Sequence, residues 1–249
     1  TTVIHGNFVG ITLSITANWV NVTQFTVTGS GPSSYGVKMT GASNCTFSRC
    51  IVTGNYVGMD MKSSHDNTIA RNNISGSSHD GLYLETCNRN IIRLNDICDN
   101  EYGISIYSGD GNKIYHNNII GNLHQAYDNG ANTWNMAVVD EGNYWNDWTS
   151  PDVNGNGIVD IPYVFDIFTG AQDLYPWAIF DGWNAEDISL VGEWHFDEGV
   201  GQYAYDTSGK VNTGTLGSGN TVDSYDPAWT DGLSGDALNY NSDYVQVAN

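Results

Sequence analysis

The sequence predicts an all-β solenoid, and three observations carry that prediction. A Gly followed by alternating apolar residues recurs as "GITLSI" at Gly10, "GVKM" at Gly36, "GMDM" at Gly58, "GLYL" at Gly81 and "GISI" at Gly103, with spacings of 26, 22, 23 and 22. A second block stays in phase: "VNVTQFTV" from Val20, "CTFSRCIV" from Cys45, "NTIARNNI" from Asn67, "NIIRLNDI" from Asn90 and "NKIYHNNI" from Asn112. Gly is abundant and Pro scarce, and no long segment has helical apolar spacing. A fixed period of this length means stacked repeats, each of them one coil that buries its apolar residues against the next. About five coils are expected.

Within a coil the alternation is that of short strands, so Asn67, Ile69, Asn72, Ile74, Leu82 and Leu84 point inward and their neighbours outward. Equivalent residues of successive coils then stack about 4.8 Å apart. Asn67, Asn90 and Asn112 form one inward column and Asn72, Asn95 and Asn117 another, in which each amide donates to one coil and accepts from the other. Cys45 and Cys50 take the same columns one coil earlier, and Met39, Met59 and Met61 fall on the inward side. Cys45, Cys50, Cys87 and Cys98 lack metal-type Cys-x-x-Cys spacing, which argues against zinc and leaves small interior residues or one disulfide.

The stretch "SSHDNTIARNNISGSSHDGLYLE", residues 63 to 85, holds Ser-His-Asp twice. Three consecutive residues cannot set an imidazole between a hydroxyl and a carboxylate, so neither copy is a triad. Both are read as corners between strands, explained by polar turn chemistry.

These repeats, N-x-I-x-x-N-x-I followed by G-I-x-L, resemble the right-handed parallel β-helix family that includes the nitrous-oxide reductase accessory type. The likeness covers residues 1 to about 180, since "GNYWNDWTSPDVNGNGIVDIPYVF" and "DLYPW" match the tail that closes such solenoids. A first domain is expected over 1–183, with a Trp/Tyr-rich cap over about 131–183. There Trp134, Tyr144, Trp145, Trp148 and Trp177 cover the open coil end. From about Leu190, "LVGEWHFDEGVGQYAYDTSGKVNTGTL" and "DGLSGDALNYNSDYVQVAN" resemble the opening strands of a laminin-G-like jelly roll. This predicts a partial β-sandwich over 184–249, too short to close by itself.

The net charge of −20 is uneven: residues 141 to 249 hold 18 acids and one base, Lys210. Such a surface repels nucleic acid and attracts cations. No run of about 18 apolar residues exists, so no membrane insertion is expected. The chain opens at "TTVIHG", already inside a strand pattern, which reads as a mature product or a fragment. Acidity and the resemblance together predict an extracellular or cell-surface setting.

The outward stripe beside the repeating Gly reads Thr12, Lys38, Asp60, Tyr83, Ser105 in one column and Thr40, Lys62, Glu85, Tyr107 in the next. Cross-strand pairing of Lys38 with Asp60 and Lys62 with Glu85 is the plain structural reading. The functional reading is a shallow carbohydrate-binding face in which Tyr83 and Tyr107 offer rings and Asp60 and Glu85 accept from hydroxyls. A polysaccharide lyase or glycosidase would use Asp60, Glu85 and Lys62 there, but lyases of this fold need an unneutralised base, so an enzyme is the secondary expectation. In "DVNGNGIVD", Asp152, Asn154, Asn156, the Ile158 carbonyl and Asp160 stand at loop positions 1, 3, 5, 7 and 9, a spacing that resembles EF-hand and dockerin calcium loops. The bidentate acid of position 12 is missing, being Tyr163, so calcium and an unliganded Asx/Gly turn are both open, with Asp147, Asp166 and Asp173 as additional candidate ligands. Copper is suggested by part of the resembled family, yet the Met residues read as core. Sequons at Asn21, Asn44 and Asn73 are candidate glycosylation sites. The expected function is a structural or adhesive surface protein that binds glycans or matrix. The rivals are a carbohydrate-active enzyme and a filament subunit that associates with itself through residues 190–249.

Overall fold

The structure, a computed structural model, describes residues 2–136, 141–185, 196, 200–205, 213–217, 226–231, 236–239 and 245–247. The chain divides into two compact units, residues 1–182 and 183–249. The first is a parallel β-helix with three parallel sheets, each built from one strand per coil, followed by an antiparallel pair of Tyr163–Asp166 with Ala171–Asp173. The long face stacks Leu13–Ile15, Tyr35–Thr40, Val57–Lys62, Asp80–Glu85, Tyr102–Tyr107 and His124–Asp128. A second face runs from Asn21–Thr23 to Lys113–Tyr115, and a third from Thr2–His5 to Tyr144–Trp145.

Six strands on the long face make about six turns, one more than the repeat count predicts. The additional strand, His124–Asp128, puts Gln125 where earlier coils have Gly, so the motif hides it. The first coil also departs: Ser14, not Thr12, stands opposite Lys38, so Gly10 is out of phase with the later glycines. Elsewhere the expected columns hold. Phe47, Ile69, Ile92 and Ile114 are consecutive register partners, at most 1% exposed, and Met39, Met59 and Met61 are fully buried.

The amide columns close their hydrogen bonds completely. In one, Asn67 Nδ2 donates to Asn90 Oδ1 at 3.0 Å, Asn90 to Asn112 at 3.0 Å and Asn112 to Asn132 at 2.8 Å. In the other the chain runs Asn72, Asn95, Asn117, Asn143 at 2.9 to 3.0 Å. Each Oδ1 also accepts the backbone N–H of the preceding coil, so burial costs the amide nothing in lost partners. A third column, Asn55, Asn100 and Asn122 with Ser77 between, lies against the repeating glycines: a Cβ on Gly36 or Gly81 would stand 2.6 Å from the Asn55 or Asn100 amide nitrogen.

The residue before each inward Asn turns the corner in the left-handed region, at φ 57 for Asp66, 58 for Arg71, 55 for Arg89 and 58 for Leu94. Arg and Leu disfavour that region, and the amide ladder holds them there. The first Ser-His-Asp is such a corner. The second is not, because Asp80 already begins a long-face strand.

At the C-terminal end Trp134 and Trp145, each 1% exposed, cover the last coil with Tyr163 and Phe165, while Tyr144, Trp148 and Trp177 are half-buried around them. The four cysteines are unpaired thiols. In the second unit, Tyr203–Ala204, Gly214–Leu216 and Val245–Val247 form a three-stranded antiparallel sheet, and Ala228–Asp231 pairs with Asp236–Asn239. Of the strand expected at "WHF", only Phe196 is among the described residues. Most of the segment assigned to self-association falls outside them as well.

Candidate functional site

The outer side of the long face brings together most of the residues singled out from the sequence. Register pairs Lys38 with Asp60, Asp60 with Tyr83, Tyr83 with Ser105 and Ser105 with Tyr127 in one column. The next runs Thr40, Lys62, Glu85, Tyr107. Lys62 Nζ lies 2.8 Å from Glu85 Oε2, and both side chains are open to solvent. Lys38 Nζ lies 3.6 Å from Asp60 Oδ2 and 4.3 Å from the centre of the Tyr35 ring.

Asp60 is not the open hydroxyl acceptor that strand parity suggests. It is 5% exposed, and burial raises its pKa against the pull of Lys38. Alternation assigns the side of the sheet, whereas large neighbours decide how much of that side reaches water. The tyrosines also differ from the expectation of open ring faces. Tyr83 and Tyr107 are 5.4 Å apart at 35°, and Tyr107 and Tyr127 are 4.6 Å apart at 33°, tilted arrangements in which each ring packs against the next and part of its face is covered. What the half-buried tyrosine row offers to a ligand is its hydroxyls and the ring surface left uncovered. Burial pushes the Tyr83 hydroxyl up to about 12, so it stays a donor.

A second aromatic row runs beside the first: Tyr56, His79, Tyr102 and His124, at 5.4, 6.1 and 4.5 Å between successive rings. Within it, Asp80, 4% exposed, accepts from Ser105 Oγ at 2.5 Å and lies 2.6 Å from His79 Nδ1. The carboxylate is in the middle, so Ser105 has no imidazole to activate it. The same contact fixes the His79 ring, whose Nε2 has no partner among the described residues. Sequence reasoning read Asp80 only as part of a polar corner and passed over Tyr102, because it followed residues after each Gly. Both stand directly before one, and that position is their signal.

In the loop of Asp152, its Oδ1 accepts from the Gly155 and Asn156 N–H groups at 2.7 and 3.2 Å and its Oδ2 from Gly157 at 2.8 Å. Asn154 and Asn156 accept from the N–H groups two residues on, and Asp160 accepts from Val153 N–H and Asn154 Nδ2. Gly155 and Gly157 supply the positive φ this needs. The additional ligand candidates are engaged elsewhere: Asp147 accepts from the Tyr163 hydroxyl, Asp166 from Phe168 N–H, and Asp173 from Trp145 Nε1. Among the described residues no group of three His, Cys, Asp or Glu converges as a metal site. Of the sequons, Asn21 and Asn44 are exposed and Asn73 is half-buried.

Comparison with known proteins adds a family. Residues 1–150 match the family model described as "Periplasmic copper-binding protein (NosD)". A curated relative, the probable ABC transporter binding protein NosD of Stutzerimonas stutzeri, is 31% identical over 144 residues, which cover 56% of this chain and 31% of the relative. The chain thus matches about a third of that protein's length. A crystal structure of a double mutant of the periplasmic alginate epimerase AlgG superposes with a TM-score of 0.38 at 18% identity, over 56% of this chain and 33% of that one. A likeness of that size carries no functional inference.

Proposed function

The chain belongs to the NosD family, and on that footing we propose that it is an extracytoplasmic β-helix that binds glycans along its long face. One observation carries the reading: the stacked phenols of Tyr83, Tyr107 and Tyr127 lie beside the solvent-open Lys62–Glu85 pair on a single rigid strip. Phenol hydroxyls that donate and accept recur there along the coils, with one carboxylate and one ammonium beside them, which suits an extended chain of sugar hydroxyls better than a compact ligand. A periplasmic setting, which the family's description names, agrees with an outer-envelope or matrix glycan as the partner. The test is a glycan array probed with the intact chain, on which binding to extended polysaccharides is expected and uniform silence refutes the reading.

A second reading is favoured by His79. Its ring is held by Asp80 through Nδ1, and its Nε2 has no partner among the described residues, whereas Asp60, Lys62 and Glu85 are buried or paired, so His79 is the candidate general base. Turnover of a bound polymer that His79→Gln abolishes while binding persists would make the protein a carbohydrate-active enzyme.

The copper in the family's description does not fit the residues present. Soft-metal capture requires clustered, accessible sulfur or imidazole. Here Met39, Met59, Met61, Cys45, Cys50 and Cys87 are at most 3% exposed in the core, burial holds the Cys87 thiol up at about 11, and among the described residues no three of His, Cys, Asp or Glu converge around the half-buried Cys98 or the outer imidazoles.

A further inference from the structure

We infer that the solenoid binds one internal water molecule at Ser77, as a fixed rung of its third amide column. In that column each carboxamide Oδ1 accepts a backbone N–H of the coil before: Ser30 N–H at Asn55, Ser77 N–H at Asn100 and Asn100 N–H at Asn122, at 2.9 to 3.1 Å. Each Nδ2 in turn donates to a carbonyl of the coil before, that of Val27, Ile74 or Ile97. Asn100 Nδ2 donates onward to Asn122 Oδ1 as well.

Ser77 stands in this column without a carboxamide, and the groups that an amide would serve there are left over. Ser77 itself is 3% exposed, and its Oγ is buried with no hydrogen-bond partner among the described residues. The Asn55 N–H has no Oδ1 opposite it and no other acceptor among the described residues. Asn55 Nδ2 turns back to the Thr53 carbonyl of its own coil instead of reaching the next. The Val52 carbonyl lacks the amide donor that Val27, Ile74 and Ile97 receive, and Asn100 Oδ1 accepts only the Ser77 N–H. Buried polar groups are nearly always satisfied, by water where the protein supplies no partner. Room for it is kept by Gly58. A Cβ on Gly36 or Gly81 would stand 2.6 Å from the carboxamide nitrogen beside it, and one on Gly58 would stand 3.0 Å from Ser77 Oγ, although the serine side chain is shorter than an asparagine. The set of groups names the occupant. None of them carries a charge, so an ion finds no counterpart. A water that accepts from Asn55 N–H and the Ser77 hydroxyl, and donates to the Val52 carbonyl and Asn100 Oδ1, takes over every role of the missing amide and uses both of its protons and both lone pairs. The inference rests on the ladder and on neither functional reading.

The test reads the Asn55 backbone N–H in the intact, isotope-labelled chain by water-selective nuclear Overhauser spectroscopy. A cross-peak to water with the sign of a bound molecule is expected. Ser77→Ala should keep that cross-peak, because the Asn55 N–H, the Val52 carbonyl and Asn100 Oδ1 all remain, and it removes the hydroxyl whose proton exchange could imitate the signal. Ser77→Asn should abolish it, since the carboxamide takes the place of the water and accepts the Asn55 N–H directly, as Asn122 does for Asn100. No cross-peak in the parent, its loss in Ser77→Ala, or its persistence in a folded Ser77→Asn would each overturn the inference; the parent and Ser77→Ala decide it even if Ser77→Asn does not fold.

Discussion

Replacing Asn95 with Ala removes one rung of an amide ladder, and its cost can be worked from the bonds it makes. Asn95 is fully buried. Its Oδ1 accepts from Asn72 N–H and Asn72 Nδ2, both at 3.0 Å, and its Nδ2 donates to the Ile69 carbonyl and Asn117 Oδ1, both at 2.9 Å. Asn117 Oδ1 keeps the Asn95 backbone N–H at 3.1 Å, so the severe losses are the two stranded donors of Asn72. At about 1–3 kcal/mol per stranded donor, the gross penalty is about 2–6 kcal/mol. A water entering the polar gap recovers part of it, which leaves roughly 3 kcal/mol. Asn73→Ala is the control, because Asn73 faces outward and accepts only from Ser75 Oγ; it should cost less than about 0.5 kcal/mol. Urea unfolding followed by fluorescence gives both values, with an unchanged slope showing that the same surface is exposed. If Asn95→Ala costs under about 1 kcal/mol, or no more than Asn73→Ala, the ladders do not hold the coils together as argued.

The converse substitution, Cys50→Asn, extends the second ladder by one coil, since Asn72 Oδ1 already accepts the Cys50 N–H at 2.9 Å. It should raise stability by about 1 kcal/mol in the same urea assay. Asp173 is buried with its pKa pushed up to about 7 by desolvation, far above its unfolded value, so its folded form favours the proton. The stability this contributes is complete below the unfolded pKa and is lost as pH rises through about 7; the advantage of Asp173→Asn over the parent should therefore grow from pH 4 to pH 7 in parallel melts and then level off. If the Asp152 loop takes calcium, millimolar calcium raises the melting temperature of the parent and leaves Asp152→Ala unchanged; identical parent melts in calcium and in chelator would assign the loop to its Asx turns alone.

Much of this architecture is legible in the sequence because a solenoid converts sequence period into spatial register. Once Ile69, Ile92 and Ile114 are aligned in the sequence, their stacking in space follows, and the inward amides and the Lys62–Glu85 pair come with it. Legibility fails where the period is broken. Gln125 replaces Gly and hides a coil, Ser77 interrupts the third amide column, and the first coil is shifted by two residues. It fails again where packing between columns matters. Nothing in the parity of Asp60 reveals that neighbouring side chains bury it, and nothing in the identity of Arg71 or Leu94 announces a left-handed corner. Asp80 meets its chain neighbour His79 and also Ser105, 25 residues on, and it is the folded register that brings Ser105 to it.

The central claim is that the tyrosine strip of the long face binds an extended glycan. Calorimetric titration of the polysaccharide selected on the array into the parent, and into Tyr83→Ala/Tyr107→Ala of verified fold, tests it most directly. The account predicts saturable binding by the parent and a loss of at least about tenfold in the variant, because two hydroxyl donors and the stack that orients Tyr127 disappear. Equal affinity in the two proteins would contradict it and leave the strip as scaffold.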